Sequence, residues 1–369
     1  MPKPAKLEIL HSAIPMRSFE HAAATRDLAE AVIVHITRSD GQGGWGETLP
    51  RSYVTGETTQ SVTRDIEHIY WPALCAGKLP EQPDTARVTL AARCAVQVAW
   101  EDCLARGVGL RLCRPIARSV RVSGSLGSSD PRQTVLRLVL LRIYGVRDFK
   151  LKLGLGQEVD RENLRLVHRW LGRRIAAGKS TLRVDINGGW RPEEVPDRVA
   201  ELRQYGVCAV EQPSLVPAAE LAELAQRCPL PLIADESLLS LADAQTLIQH
   251  TREKVWWNIR LSKNGGLDLC QRLCELAVQA GITFAVGCMV GESGILSSAQ
   301  RVLLGRVSPP RFVEGNFGRF LMADDLTKPS PLFGYAGRLR PFAREGLGVD
   351  VSLAKLARYA KLVTRLTAE

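Results

Sequence analysis

Two lysines alternate with leucines in the segment Phe149-Lys150-Leu151-Lys152-Leu153. On a β-strand, a spacing of two places both lysines on one face and both leucines on the other. If the leucines pack outward against helices, the two ammonium groups share an enclosed interior. Mutual repulsion and desolvation then push at least one lysine pKa toward neutrality, which makes a usable general base. The same spacing also describes a plain lysine pair at a barrel rim. Downstream, Asp185, Glu211 and Asp235 each close an apolar stretch, in VDING, VEQP and IADES. A carboxylate that ends a buried strand is costly unless it is paired or metal-bound. Three of them form a hard, oxygen-rich set that suits Mg²⁺, with Mn²⁺ as the alternative ion, better than zinc or copper. Glu236 has strand parity opposite to Asp235, so it is expected to stand behind the ligands, as is Asn187 of VDING.

These residues need elements to bring them together, and from about residue 119 the chain supplies a rhythm. Apolar, β-branched stretches occur at Ser119–Ser123, Phe149–Leu153, Leu182–Asp185, Cys208–Glu211, Leu230–Asp235, Val255–Arg260, Ile282–Val286 and Arg311–Glu314. Between most of them lie amphipathic helical patterns such as Glu158–Ala177, Ala218–Cys228 and Leu267–Ala280. Alternating strands and helices predict a parallel sheet. The polar residues Asp185, Glu211, Asp235, Arg260 and Glu314 follow one another at steps of 26, 24, 25 and 54 residues. That is one or two βα units of a (β/α)8-type barrel, whose active sites lie at the C-terminal ends of the strands. Five such residues would converge on one mouth.

Residues 1–118 read as an α+β domain. Leu28–Thr37 is strand-like, SDGQGGWGE is a glycine-rich hairpin turn, and helices are predicted over Thr58–Leu74 and Thr85–Arg106. The barrel domain is expected over 119–339. A last helix over Val351–Thr367, within the segment 340–369, is expected to pack back on the N-terminal domain.

Composition bounds the function. The chain has 369 residues, 45% hydrophobic and 24% charged, with a mean hydropathy of -0.05, which excludes disorder and a disulfide scaffold as descriptions of the whole. No apolar run is long enough for a spanning helix, and the first residues lack the pattern of a signal peptide; no membrane partner and a cytoplasmic location are expected. A formal charge of +10 permits nucleic-acid binding, but the basic residues are scattered and no recognition motif accompanies them. No nucleic-acid partner is expected, and an anionic small molecule suits the charge better. The 9 cysteines include no CxxC pair and read as reduced, buried thiols.

In order and spacing, the KxK, VDxN, VEQP, ADES and SKxGG stretches resemble the enolase superfamily, in particular its muconate-lactonizing subgroup within the mandelate racemase/muconate lactonizing enzyme family. GGWGETLP followed by TGET is similar to the family's capping domain, and GCMVGESGILSSA to its seventh strand and following helix. The resemblance covers nearly the whole chain. It implies a modified (β/α)7β TIM-type barrel with an α+β cap, and a homo-oligomer. It also implies Mg²⁺ held by Asp185, Glu211 and Asp235, gripping the carboxylate of a small-molecule substrate. Lys152 would remove the adjacent proton to form an enediolate, with Lys150 near the carboxylate and depressing the pKa of Lys152.

One position departs from the subgroup's pattern. Its second catalytic lysine stands three residues before the lysine of SKxGG; here that place is held by Arg260, which does not deprotonate. Two-base racemisation is thereby disfavoured, and one-base cycloisomerisation or β-elimination of water is expected. A racemase or epimerase remains the alternative if Lys263 reaches the site opposite Lys152. A barrel that binds metal without catalysis is the alternative of another class. No histidine ends a predicted barrel strand, so a His–Asp dyad is not expected, although His21 could reach in from a cap loop. Arg51 and Tyr53 from the cap, with Glu292 and Glu314 from the last two strand ends, are candidate substrate contacts.

Overall fold

Strand alternation decides how the N-terminal sheet is used. In the computed structural model, which describes residues 2–21, 24–81, 88–113, 120–251, 253–315 and 318–368, strands β1 (Pro4–His21), β2 (Ala24–Arg38) and β3 (Gly43–Thr48) form an antiparallel sheet. Along β2, Val32, Val34 and Ile36 join Leu7 and Ile9 of β1 in one apolar cluster. Ala29, Ala31 and Ile33, of opposite parity, join the cluster that continues into the barrel. Both faces of the sheet are therefore covered.

The helix expected at Thr58 begins as α1 (Thr59–Asp65), with a reciprocal Thr58–Ser61 cap, and then widens into a π-turn over Ile66–Tyr70. Helix α2 (Leu90–Gly107) is buried along most of its length. It lies directly on β3, and the glycines there permit it. A Cβ on Gly46 would fall 2.0 Å from the Ala95 carbonyl oxygen, and one on Gly44 would fall 2.2 Å from the Cys103 nitrogen. The glycine-rich segment thus serves close packing as well as the turn, where Gly41 has φ 84°.

Eight parallel strands follow and close on themselves: β4 (Val122–Leu126), β5 (Asp148–Lys152), β6 (Thr181–Asp185), β7 (Val207–Glu211), β8 (Leu232–Ala234), β9 (Val255–Ile259), β10 (Phe284–Val286) and β11 (Phe312–Glu314). Between them run α3 (Pro131–Ile143), α4 (Gln157–Ala176), α5 (Val195–Leu202), α6 (Ala218–Arg227), α7 (Leu241–His250), α8 (Leu267–Gln279) and α9 (Gly294–Leu304). This is the expected (β/α)7β barrel with an α+β cap. Phe149, Leu151, Leu182, Val184 and Val210 belong to the apolar layer between strands and helices. The opposite parity turns Lys150, Lys152, Arg183, Asp185 and Glu211 inward, and all five are buried.

The C-terminal segment differs from the expected helix. Helix α10 (Leu353–Tyr359) ends early, and Ala360–Thr367 forms β12, antiparallel to β1, with Lys6 opposite Thr367 and Ser12 opposite Ala360. The sequence KLVTRLT has a period of two and is rich in β-branched residues, which suits an edge strand. Thr364 donates to Glu67 at 2.6 Å, and Arg365 donates to Glu8 at 3.0 Å. The sequence boundary at residue 118 falls outside the described residues.

Candidate active site

The C-terminal ends of the strands enclose a cavity of about 90 Å³, walled by Lys150, Lys152, Asn187, Glu236, Arg260 and Glu314 together with Tyr53 and Ser123. Lys152 Nζ donates to Asp185 Oδ2 at 2.6 Å and to Asn187 Oδ1 at 2.9 Å. Asn187 adopts φ 49°, the left-handed conformation that asparagine tolerates, and its own backbone N–H donates to Asp185 Oδ1 at 3.0 Å. Lys150 Nζ lies 3.0 Å from Glu211 Oε1, 2.6 Å from Glu314 Oε1 and 3.4 Å from Asp185 Oδ2.

Lys150 is not a lysine whose pKa falls. Burial alone would lower its pKa, but Glu211, Glu314 and Asp185 outweigh that and raise it. Repulsion between neighbouring cations is outweighed here by the carboxylates across the barrel. Burial would raise the Asp185 pKa, yet the Lys152 and Lys150 charges hold it below the ordinary carboxylate range.

Asp185, Glu211 and Asp235 are fully buried at the ends of three consecutive strands, Asp235 one residue beyond β8, and Asp185 and Glu211 stand opposite each other in the ladder. Among the described residues, no three His, Cys, Asp or Glu side chains converge closely enough to hold a metal. Each candidate ligand is instead turned onto a cation: Asp185 and Glu211 onto the lysines, Asp235 onto Arg260 and Lys263. The donor set nonetheless fits a hard divalent ion. Glu211 Oε2 is buried without a hydrogen-bond partner, and burial raises the Glu211 pKa despite Lys150. A cation in reach of these oxygens would satisfy both.

Neither Asn187 nor Glu236 stands behind the ligands; both line the cavity. Strand β8 ends at Ala234, so strand parity no longer applies two residues later. Gln212 Oε1 accepts the backbone N–H groups of Asp235 and Ser237 at 2.9 and 3.1 Å and thereby shapes this turn. Burial, with the charges of Asp185 and Glu211, raises the Glu236 pKa to about 7.

Arg260, just beyond β9, lines the cavity and contacts Asp235. Lys263 does not line it. Its ammonium donates to the backbone carbonyls of Asp235, Leu238 and Asn258 at 2.7, 2.8 and 2.8 Å. Burial, followed by the Arg260 charge, brings its pKa down to about 7, but its N–H groups are committed to the loop.

The cap contacts also divide. Tyr53 is on the cavity wall, with the Arg26 guanidinium 5.8 Å from its ring centroid. Arg51 is not. Its guanidinium donates to the carbonyls of Glu30, Pro50 and Val290 at 3.2, 2.8 and 3.2 Å, tying the cap to the β10 loop. Glu292 is buried away from the wall and accepts the Met289 N–H at 2.6 Å; burial raises its pKa to about 8. Glu314 lines the cavity, but its carboxylate is engaged by Lys150 and Arg183. No histidine of described side chain lines the cavity; the His21 side chain lies outside the described residues.

Sequence reasoning missed Arg183, Asn258 and Ser123. Arg183 shares strand parity with Asp185, and Asn258 with Arg260, so period two would have found both. Asn258 donates to Glu211 Oε1 at 2.9 Å, and Arg183 donates to Ser123 Oγ at 2.9 Å.

With this geometry in hand, comparisons place the chain among known proteins. Residues 135–355 match the family described as enolase C-terminal domain-like. The chain is 30% identical over 368 residues to an L-Lys-D/L-Arg epimerase of Methylococcus capsulatus, covering 94% of this chain and 99% of that one. It is 26% identical to muconate cycloisomerase 1 of Pseudomonas putida, covering 94% of each. The structure of a dipeptide epimerase from Cytophaga hutchinsonii, in complex with Mg and the dipeptide D-Ala-L-Val, superposes with a TM-score of 0.83 at 22% identity, covering 99% of this chain and 100% of that one.

Proposed function

The chain belongs to the mandelate racemase/muconate lactonizing enzyme family of the enolase superfamily and is an enzyme of that superfamily; from this premise we propose that it abstracts the proton next to a substrate carboxylate, with Lys152 as its base and Mg²⁺ as its cofactor. Asp185, Glu211 and Asp235 would hold the ion. When bound, it supplies Lewis-acid stabilisation of the negative charge that develops on the carboxylate.

The chain's own residues do the rest. Lys152 Nζ stands on the cavity wall, aimed by Asn187 and Asp185, and takes the proton. Across the barrel from β5, the β9 end presents Arg260, which stabilises or binds negative charge but does not take a proton. One lysine facing one arginine is the observation that carries the proposal. It favours chemistry that removes a proton from one face: cycloisomerisation or β-elimination of water. The proposed substrate is a small carboxylate.

A second reading has its own support, since the relatives include epimerases and a racemase. It would require a second base, and Lys263 is engaged elsewhere. The test is incubation of a carboxylate library with Mg²⁺ in D₂O, read by mass spectrometry and NMR beside Lys152→Ala. Loss of water or ring closure, reduced by about 10²–10⁴-fold in the variant, is the expected result. Deuteration at the α-carbon with racemisation and no change of skeleton would establish the second reading instead.

A further inference from the structure

We infer that Glu314 is an internal counter-ion and that the pocket therefore selects acids carrying no ammonium group. The inference rests on the proposed carboxylate chemistry and narrows its substrate class. Glu314 ends β11 on the cavity wall, where a free carboxylate would be a natural partner for a substrate amine. It is not free. Lys150 Nζ lies 2.6 Å from its Oε1 and Arg183 Nη2 lies 3.4 Å from the same atom.

Arg183 is held for this task. It is fully buried on β6 and donates to Ser123 Oγ of β4, and its guanidinium carbon lies 3.9 Å from the centroid of the Phe312 ring on β11. A guanidinium withdrawn from water needs an anion, and Arg183 pairs with Glu314. An incoming ammonium would be a third cation on one carboxylate.

The neighbouring wall offers no substitute among the described residues. Ser123, Ser125, Cys288, Met289 and Gly315 are uncharged. The other lining carboxylate, Glu236, sits among the candidate metal ligands, where the charges of Asp185 and Glu211 act on it. A substrate ammonium on the β4–β11 side would lose its hydration and gain no counter-charge, which is strongly unfavourable. A neutral or anionic group would meet serine hydroxyls and the Lys150 ammonium instead. Free amino acids and dipeptides are thus disfavoured, and any epimerisation here would act on an N-acylated or amine-free acid.

Butyrate, glutarate and 4-aminobutyrate differ mainly in the charge at the far end, and calorimetric titration of the Mg²⁺-loaded protein with each tests the inference. The expected result is 4-aminobutyrate binding at least about tenfold more weakly than butyrate, a modest share of the cost of an unpaired buried charge. Equal or tighter binding of 4-aminobutyrate overturns the inference. Glu314→Gln leaves Lys150 and Arg183 without that counter-charge and is expected to tighten glutarate binding relative to butyrate; unchanged or weakened relative glutarate binding also overturns the inference. Arg183→Met, which releases Glu314, is expected to narrow the gap; if that variant does not fold, the first two measurements still decide. Binding of none of the three acids would bring down the carboxylate reading and this inference together. Charge selectivity without any α-proton exchange would sink the catalytic reading alone.

Discussion

Lys263 is bound to Asp235 twice, through the side-chain Oδ1 at 3.2 Å and through the backbone carbonyl at 2.7 Å. The lysine leaves β9 with Arg260 but turns away from the cavity. The backbone N–H groups of Lys263 and Asn264 both return to the Arg260 carbonyl, at 3.2 and 2.9 Å. That fold-back points the side chain beneath the β8 loop, where it holds a candidate metal ligand from behind. Neighbours in sequence, Arg260 and Lys263 occupy opposite sides of the Asp235 carboxylate.

Removal of Lys263 should therefore act on stability. Lys263→Met leaves buried carbonyls and part of the Asp235 charge without a donor, and breaking one side of a buried pair costs about 3–5 kcal/mol. Urea unfolding should show a loss of that order, with a smaller loss for Lys152→Met at the cavity wall. A Lys263→Met protein as stable as the wild type would contradict this placement.

Divalent metal should stabilise the protein through the β6–β8 carboxylates. At a hundredfold excess over its dissociation constant, a ligand specific for the native state adds about 2.7 kcal/mol. Mg²⁺ should raise the unfolding midpoint and EDTA should reverse it. Glu211→Gln should abolish the increment, because it removes a ligand carboxylate, one oxygen of which has no hydrogen-bond partner within the protein. Manganese titration followed by electron paramagnetic resonance would report the same loss without any substrate.

Stability should fall between mildly acidic and neutral pH. Glu47 of β3 accepts Ser293 N–H, Ser293 Oγ–H and Leu296 N–H at 3.0, 2.7 and 3.0 Å, joining the cap to the start of α9. Burial nonetheless raises its pKa to about 7, and Glu57 at the start of α2 is raised to about 7 in the same way. Between its ordinary value of 4.5 and 7, the native state keeps a proton that the unfolded chain has released. The stability contributed by that proton is present in full below about 4.5 and is lost as the pH climbs through about 7, by at most ~1.4 kcal/mol per pH unit for each group. Urea midpoints at pH 5, 6, 7 and 8 should decline and then level off, and Glu47→Gln should flatten the decline. A midpoint that rises steadily from pH 5 to 8 would contradict the assignment.

Much of this site was legible in the sequence, because two local periods generate it. A period of two along each strand turned Lys150, Lys152, Asp185 and Glu211 inward, and the βα repeat brought their strand ends into one ring. Where a side chain is aimed by something other than those periods, the reading went astray. Glu236 lies past the end of β8, so parity misplaced it. Arg51 is directed by carbonyls from β2 and the β10 loop, and Lys263, whose reach into the site the sequence left conditional, by a loop turn that depends on Asn264. Arg183 lay within reach of the same parity rule, but an arginine inside a barrel makes sense only once Glu314 is seen beside it. The strand at Ala360–Thr367 was hidden because its partner, β1, lies at the other end of the chain.

The identity of the residue at 260 should decide how many faces of the substrate can exchange a proton. With Lys152 as the one base, as proposed, α-deuteration in D₂O should follow a single stereochemical course. Arg260→Lys places an ionisable amine at the β9 end, on the cavity wall and beside Asp235. Unlike a guanidinium, that amine can lose its proton when desolvated. The variant should therefore acquire exchange from the opposite face, seen by NMR as racemisation of a substrate that the wild type only deuterates or converts. Its one-base reaction should slow, because the fixed positive charge opposite Lys152 becomes titratable. Arg260→Met should slow the reaction without producing racemisation, which separates loss of charge from gain of a base. A wild type that already racemises, and does so unchanged as Arg260→Met, would place the second base elsewhere in the cavity and end the one-base proposal.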